Sequence, residues 1–303
     1  MNKTALSKNS GFWMIIFSYI LWGSLPIFWK ALSSIPAPVI LADRIIWTLI
    51  FTVILLIAHR RLIRSIRAIK NIKDFMFLIL RAFCLLVNWL VYIWGVNHNH
   101  IIDCSMGYFI CPLTTVFLGC IILKEKLSKW QLLSVIIVGA AVFNMIYTND
   151  SVPWIALLIA LSFSFYSLLR KTSPLESLPG LTSEMFILII PAVIYLAYYS
   201  GLKQQFYFMN ESLELNILII LTGIVTATPL LLFANGVRKI KLSLAGLLQY
   251  ITPTISFLIG VFIYKEPLNS MYITTFSIIW IGVIIFILNN LLMVNKGSKE
   301  SLA

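Results

Sequence analysis

Ser105, Tyr108, Pro112, Thr115 and Gly119 follow one another at steps of three, four, three and four residues, which sets them in one row along a helix. Gly246, Gln249, Pro253, Ser256 and Gly260 repeat that row 141 positions further on. The flanking faces are Ile, Leu, Phe and Val. Hydroxyl, amide and small groups arranged this way serve close helix packing, a polar cavity for a small solute, or both. We assign packing to Gly119 and Gly260, and the cavity to Tyr108, Thr115, Gln249 and Ser256. Pro112 and Pro253 each free a carbonyl one turn earlier, so each helix is expected to kink there and gain an acceptor.

Arg44 and Trp47, three residues apart, share a face near one end of a hydrophobic segment. A guanidinium beside an indole suits an anionic or carboxylate-bearing ligand, and equally a cation–π pair that only fixes two helices. Asp43 points about 100° away from Arg44 and need not neutralise it. Arg81, Asn88 and Tyr92 form a second row, at steps of seven and four. Asn88 lies deep, whereas Arg81 is close enough to a helix end to reach either a cavity or lipid headgroups. Trp22, beside Gly23, is placed on a cavity wall, and Trp29 in the interfacial aromatic belt. Ser18 and Trp22 correspond to Ser162 and Tyr166 at a spacing of 144, which adds Tyr166. The substrate-binding set read from the sequence is Trp22, Arg44, Trp47, Asn88, Tyr92, Tyr108, Thr115, Tyr166, Gln249 and Ser256.

Other chemistries lack their residues. His98 and His100 have H-x-H spacing, but only Asp103 and Cys104 lie near them, so a wet loop is expected rather than a zinc site. Cys84, Cys104, Cys111 and Cys120 have no C-x-x-C spacing and read as small apolar fillers. There is no G-x-x-x-x-G-K-[ST] and no G-x-S-x-G, and no base and nucleophile cluster within the hydrophobic segments. An enzyme is not expected, nor a cofactor or metal.

These rows must be held by membrane-spanning helices. Of 303 residues, 60% are hydrophobic and 11% charged, and the mean hydropathy is +0.95. So much apolar surface points to an integral membrane protein with the lipid bilayer as its partner. Segments long enough to cross about 30 Å of hydrocarbon as helices fall at 11–30, 37–58, 75–95, 102–123, 129–147, 152–169, 182–200, 216–235, 242–264 and 270–293. Runs such as SVIIVGAAVFNMIY are apolar on every side, which excludes the alternation of a β-barrel. The first segment is read as a span rather than a secretory signal, because it is long, aromatic and matched by the sixth.

The fold class is therefore all-α, a polytopic membrane protein. Residues 95–127 and 236–268 share Gly95/Gly236, Pro112/Pro253, Gly119/Gly260, Lys124/Lys265, Glu125/Glu266 and Leu127/Leu268 without a gap. With five spans to each half, an odd number, the two repeats (1–148 and 149–303, meeting near Asn149 and Asp150) are expected to be inverted. Eighteen Lys and Arg fall on one side of this topology, Arg170 and Lys171 included, against Lys30, Lys203 and Lys265 on the other. That asymmetry sets both termini in the cytoplasm and explains the net charge of +12 without nucleic acid. Between the second and third spans, Arg61, Arg64, Arg67, Lys70 and Lys73 recur beside Leu62, Ile63, Ile66, Ile69 and Ile72. This suits an amphipathic helix on anionic lipid as well as a solvated basic loop. Ser128 with Gln131 has capping-box spacing, Asn269 suits a helix cap, and Glu125 and Glu266 read as turn residues beside helix N-termini.

In colinear order the chain carries LWG-x-L-P-x-x-WK, RIIW, NW-x-x-Y-x-W, GYF-x-x-P-L and KE-x-L, then PLLLF, GLLQYI-x-PT and EPL. It thereby resembles the drug/metabolite transporter superfamily, its EamA family and, within that, the RarD-type permeases. The matching motif positions are Trp22, Lys30, Arg44, Trp47, Asn88, Tyr108, Pro112, Glu125, Gln249, Tyr250, Pro253 and Glu266. The resemblance implies a bacterial inner-membrane carrier that moves a small-molecule substrate, a metabolite or drug, often outwards, by alternating access without ATP. A passive channel or facilitator of the same fold is the alternative, and the cavity is expected between spans three, four, eight and nine, with contributions from one, two and six.

Overall fold

The computed structural model describes residues 3–60, 72–98, 100–147, 154–203, 208, 212–265 and 270–300. Most of the basic segment beginning at Arg61, the turn at Asn149 and Asp150, Glu266 and Asn269 lie outside the described residues, as does the side chain of Asp103. Eleven α-helices and no strand occur among the described residues. They are α1 (Lys3–Ala31), α2 (Ala37–Ala58), α3 (Ile72–Asn97), α4 (Ile101–Ile121), α5 (Lys129–Tyr147), α6 (Trp154–Thr172), α7 (Ser177–Lys203), α8 (Leu213–Gly236), α9 (Leu242–Leu248), α10 (Ile251–Leu258) and α11 (Ser270–Glu300). A π-helical turn, Ile259–Ile263, continues α10. Eight segments are long and apolar enough to cross a membrane, the α9–α10 stretch counting as one of them, and Lys129–Asn144 and Ile273–Asn289 are shorter apolar helices.

Local sequence sets several of the ends. Pro36 precedes α2 and Pro38 occupies its first turn, where a missing N–H costs nothing. Ser212 caps α8 by accepting from the Leu215 amide at 3.3 Å. Ser128 and Gln131 form a reciprocal capping box at α5, with bonds of 2.9 and 3.2 Å. After α4 the chain reverses through Lys124 at φ 54°, which returns the Glu125 amide to the Gly119 carbonyl at 3.1 Å; Lys265, after the π-helical turn, has φ 58°. Positive φ is uncommon outside glycine, and here it falls on the lysine of both copies of the KE-x-L segment.

The two prolines act differently. α4 runs unbroken through Pro112, whereas the segment carrying Pro253 divides into α9 and α10. The proline ring excludes the usual bond to the carbonyl four residues back, that of Gln249. That carbonyl instead accepts from Thr252 at 3.0 Å, and the Gln249 and Tyr250 amides reach back only three residues. Gln249 thus sits at a break in its helix.

The closest packing joins helices far apart in the chain: α4 with α6 and α9, α2 with α7 and α8, α3 with α6 and α7, α1 with α8 and α10, and α5 with α11. Small residues permit the approach. A Cβ on Gly246 would lie 2.9 Å from the Pro112 carbonyl and 3.1 Å from Thr115, and one on Gly223 would run into the backbone of Trp47. Tyr19, Leu85, Met106, Tyr166, Phe233 and Tyr250 are core residues, while Trp13, Phe17, Phe83, Phe143, Ile194 and Phe262 are exposed as lipid contact requires.

Candidate functional site

A cavity of about 950 Å³ opens between α1, α2, α3, α4, α6 and the α9–α10 break. Seven of the ten expected residues line it: Trp22, Arg44, Asn88, Tyr92, Tyr108, Gln249 and Ser256. Span eight contributes only Leu230, less than the sequence suggests. Asn88 donates from its amide nitrogen to the Ile159 carbonyl at 2.9 Å and to Ser162 at 3.2 Å, tying α3 to α6. Gln249 donates to Cys111 Sγ at 3.2 Å across the α4–α9 contact. The Tyr92 and Tyr108 rings meet edge to face at 5.8 Å.

The other three lie elsewhere, each for a visible reason. Thr115 is buried in the crossing against Gly246, its hydroxyl 2.9 Å from that of Ser164. Tyr166 is fully buried beneath the cavity, its hydroxyl donating to Glu184 Oε2 at 3.2 Å. Trp47 turns away from Arg44, its backbone set against Gly223 and its ring 5.3 Å from that of Phe208.

Arg44 instead has two other indoles beside it. Its guanidinium carbon lies 4.2 Å from the Trp89 ring and 5.4 Å from that of Trp29. Trp29 thus lines the cavity, and Trp89, which adjoins Asn88 in the NW pair, lines it as well although its type and spacing gave it no role in the sequence. Cys111, expected as filler, is a polar neighbour of Gln249 on that wall. Nothing in its spacing separated it from the other cysteines.

The floor is aromatic. Trp22 meets Phe163 and Phe233 at 5.6 Å each, and Phe233 stacks on Tyr166 at 6.4 Å. Below, Arg81 Nε and Arg170 Nη1 converge on Glu184 Oε1 at 2.9 and 3.3 Å, and Arg170 Nη2 donates to the Ser177 carbonyl at 2.9 Å. Arg81, Arg170 and Glu184 are 0–1% exposed, so Arg81 does not reach headgroups and Arg170 is not a loop charge.

The same end is latched across the chain. The Glu125 carboxylate accepts from the Leu242 amide (2.7 Å), the Ser243 amide (2.9 Å) and the Ser243 hydroxyl (2.7 Å). It serves a helix N-terminus, as expected of its charge, but that of α9 rather than the adjacent α5. Lys171 donates to the carbonyls of Val237 (3.2 Å) and Ile240, and Arg238 to that of Leu175 at 2.8 Å. Among the described residues no group of three His, Cys, Asp or Glu could hold a metal; His98 stacks on Trp94 at 4.4 Å.

A polytopic helical bundle around a cavity, two walls of which come from distant parts of the chain, has the architecture of a membrane transporter. A model of the EamA-like transporter family matches residues 9–147. The "Uncharacterized transporter YojE" of Bacillus subtilis is 42% identical over 89% of this chain and 90% of its own. "Protein RarD" of Escherichia coli is 35% identical over 97% and 99%. The chain belongs to the EamA family of the drug/metabolite transporter superfamily and is of the RarD type. A solved crystal structure, 14% identical, aligns over 92% of this chain and 98% of its own with a TM-score of 0.71, a likeness of fold.

Proposed function

We propose that this chain is a secondary carrier of the bacterial inner membrane that exports a small metabolite or drug by alternating access through the central cavity. In this reading ten helices cross the bilayer in two inverted halves, 1–148 and 149–303, with both termini cytoplasmic. Support comes from exchanging the halves: α1 with α6, α2 with α7, α3 with α8, α4 with α9–α10 and α5 with α11. Close pairs then map onto close pairs, α4–α6 becoming α1–α10, α3–α6 becoming α1–α8 and α2–α8 becoming α3–α7. Thr115–Ser164 and Ser256–Gly23 are the same pair of positions 141 residues apart. Tyr250 donates at 2.8 Å to the carbonyl of Phe109, its own counterpart 141 residues earlier.

The observation that carries the reading is the difference between the ends. Lys171 is held by the α8–α9 connection, whereas Lys30, its counterpart 141 residues earlier, lies 4.6 Å over the Tyr264 ring beside the cavity mouth. In this reading the first end is shut and the other open, and residues of the latch recur in the sequence at the second, Lys30 for Lys171 and Glu266 for Glu125. Rocking would exchange them. The positive-inside charge asymmetry supports the latched end as cytoplasmic.

Spin labels at Thr172 and Arg238, and in a second preparation at Ala31 and His98, test this by pulsed electron spin resonance. Alternating access predicts that the first distance lengthens as the second shortens when Glu125→Gln weakens the latch. In a channel of the same fold, opening the latched end would leave the Ala31–His98 distance unchanged.

A further inference from the structure

Resting on the reading of the cavity as the transport site, we infer that its substrate carries a single carboxylate on a flat, largely apolar body, and that Arg44 receives the carboxylate. Among the described residues, Arg44 is the one on the cavity wall with a fixed charge, and the wall includes no Asp, Glu or Lys. Its Nε is buried with no hydrogen-bond partner, and among the described residues it forms no ion pair. Asp43, its neighbour in sequence, is buried, off the wall and unpaired with it. The side chain as a whole is half-buried and faces the cavity, where no acid among the described residues balances its charge. Here the protein supplies ring faces, Trp89 at 4.2 Å and Trp29 at 5.4 Å, which attract the cation but accept none of its N–H bonds.

A ligand in the cavity can supply both the counter-charge and the acceptor that the protein does not. A carboxylate matches the guanidinium fork with two parallel bonds. A phosphomonoester would bring a second negative charge that no second cation among the described wall residues meets. An organic cation would face Arg44 with no acid to balance it. The rest of the wall fits the remainder of such a molecule. Trp22, Phe163 and Phe257 offer apolar faces, and Tyr108 and Gln249 offer polar groups for a substituent.

The test uses purified full-length protein in phosphatidylcholine nanodiscs and equilibrium binding of compounds with one ring and three charges. These are phenylacetate, phenylacetamide and phenethylamine, with indole-3-acetate, indole-3-acetamide and tryptamine as a second series. The carboxylates are expected to bind about 10- to 100-fold more tightly than their amides, the range of one charged, hydrogen-bonded pair, and the amines more weakly still. Arg44→Gln should abolish that preference, Arg44→Lys should retain part of it, and Gln249→Ala should weaken carboxylate and amide alike.

Amides or amines binding as well as the carboxylates, with loss in Gln249→Ala, would overturn the anion inference and leave the transport reading standing. Carboxylate binding indifferent to both Arg44→Gln and Gln249→Ala would overturn both, as would binding of no compound by folded protein. If phosphatidylglycerol added to the nanodiscs competes away the Arg44-dependent binding, the site holds a lipid headgroup and the inference falls.

Discussion

The molecule keeps arginine within its helical bundle in two opposite ways. Beneath the cavity, Arg81 and Arg170 share Glu184, with Tyr166 on its other oxygen and the Ser177 carbonyl taking a further guanidinium N–H. In the cavity wall, Arg44 has indole faces and no oxygen acceptor among the described residues. Arg81 Nη2 and Arg170 Nε are idle as Arg44 Nε is, but both of those arginines are paired with the Glu184 carboxylate, which an anionic ligand would have to displace. A cation with no counter-charge at a cavity surface is available. Gly180 sharpens the contrast: a Cβ there would collide with the Arg170 guanidinium, so even the backbone of α7 is shaped to the paired site.

The largest expected effect comes from breaking the paired side. Glu184→Gln leaves two guanidinium groups buried without a counter-charge, and removal of one partner from such a site costs about 3–5 kcal/mol. Denaturant unfolding in detergent should show a loss of that size. Wild-type stability in this variant would mean that the two arginine sites do not differ in kind. Next in size is the helix crossing beside the cavity. Gly246→Val would force α4 and α9 apart at the Pro112 carbonyl and Thr115, an overpacking of about 1–3 kcal/mol. Because Gln249 lies one turn away, binding of phenylacetate should weaken in the same variant, whereas Gly139→Val, where nothing lies within 4 Å, should change neither quantity.

Glu125→Gln follows. The amide can keep one of the bonds to Leu242 and Ser243 but loses the charge that strengthens all three, a loss of about 1–2 kcal/mol. Most of it should fall on the latched state, so the Thr172–Arg238 label distance should broaden while global unfolding moves less. A variant that lost stability without that broadening would make Glu125 a cap and nothing more.

The sequence carried the periodic part of this arrangement and missed the convergent part. Spacing placed Asn88, Tyr92, Tyr108, Gln249 and Ser256 on shared faces, since helical period alone fixes which side chains lie together on one helix. It could not say which helix each face would meet. Trp47 was paired with Arg44 because they lie three apart, yet α8 claims Trp47, while Trp29 and Trp89 reach Arg44 from α1 and α3. Only the meeting of α3, α6 and α7 makes Glu184 the centre of two ion pairs. The 141-residue repeat matched Pro112 to Pro253, but α4 runs unbroken through its proline while the other segment divides at Gln249, a difference that matching prolines do not foretell.

The smallest effect on stability is expected at Arg44 itself, and that smallness is informative. Arg44→Gln removes a cation that no oxygen of the protein holds, so little bonding is lost; the cation–π contacts forgone, about 0.5–2 kcal/mol, are opposed by relief of the desolvation that an unpaired charge carries. Net stability without ligand should change by less than about 1 kcal/mol, against the several kcal/mol of Glu184→Gln measured under the same conditions. Added phenylacetate should then separate the two variants in the other direction. A ligand that binds only the folded protein stabilises it in proportion to its affinity, so the ligand-induced rise in melting temperature should vanish in Arg44→Gln and persist in whatever fraction of Glu184→Gln folds. If Arg44→Gln instead unfolded as readily as Glu184→Gln, the guanidinium would be a strut between α1, α2 and α3, its idle Nε would be incidental, and the cavity would have to recognise its substrate by shape and hydrogen bonding alone.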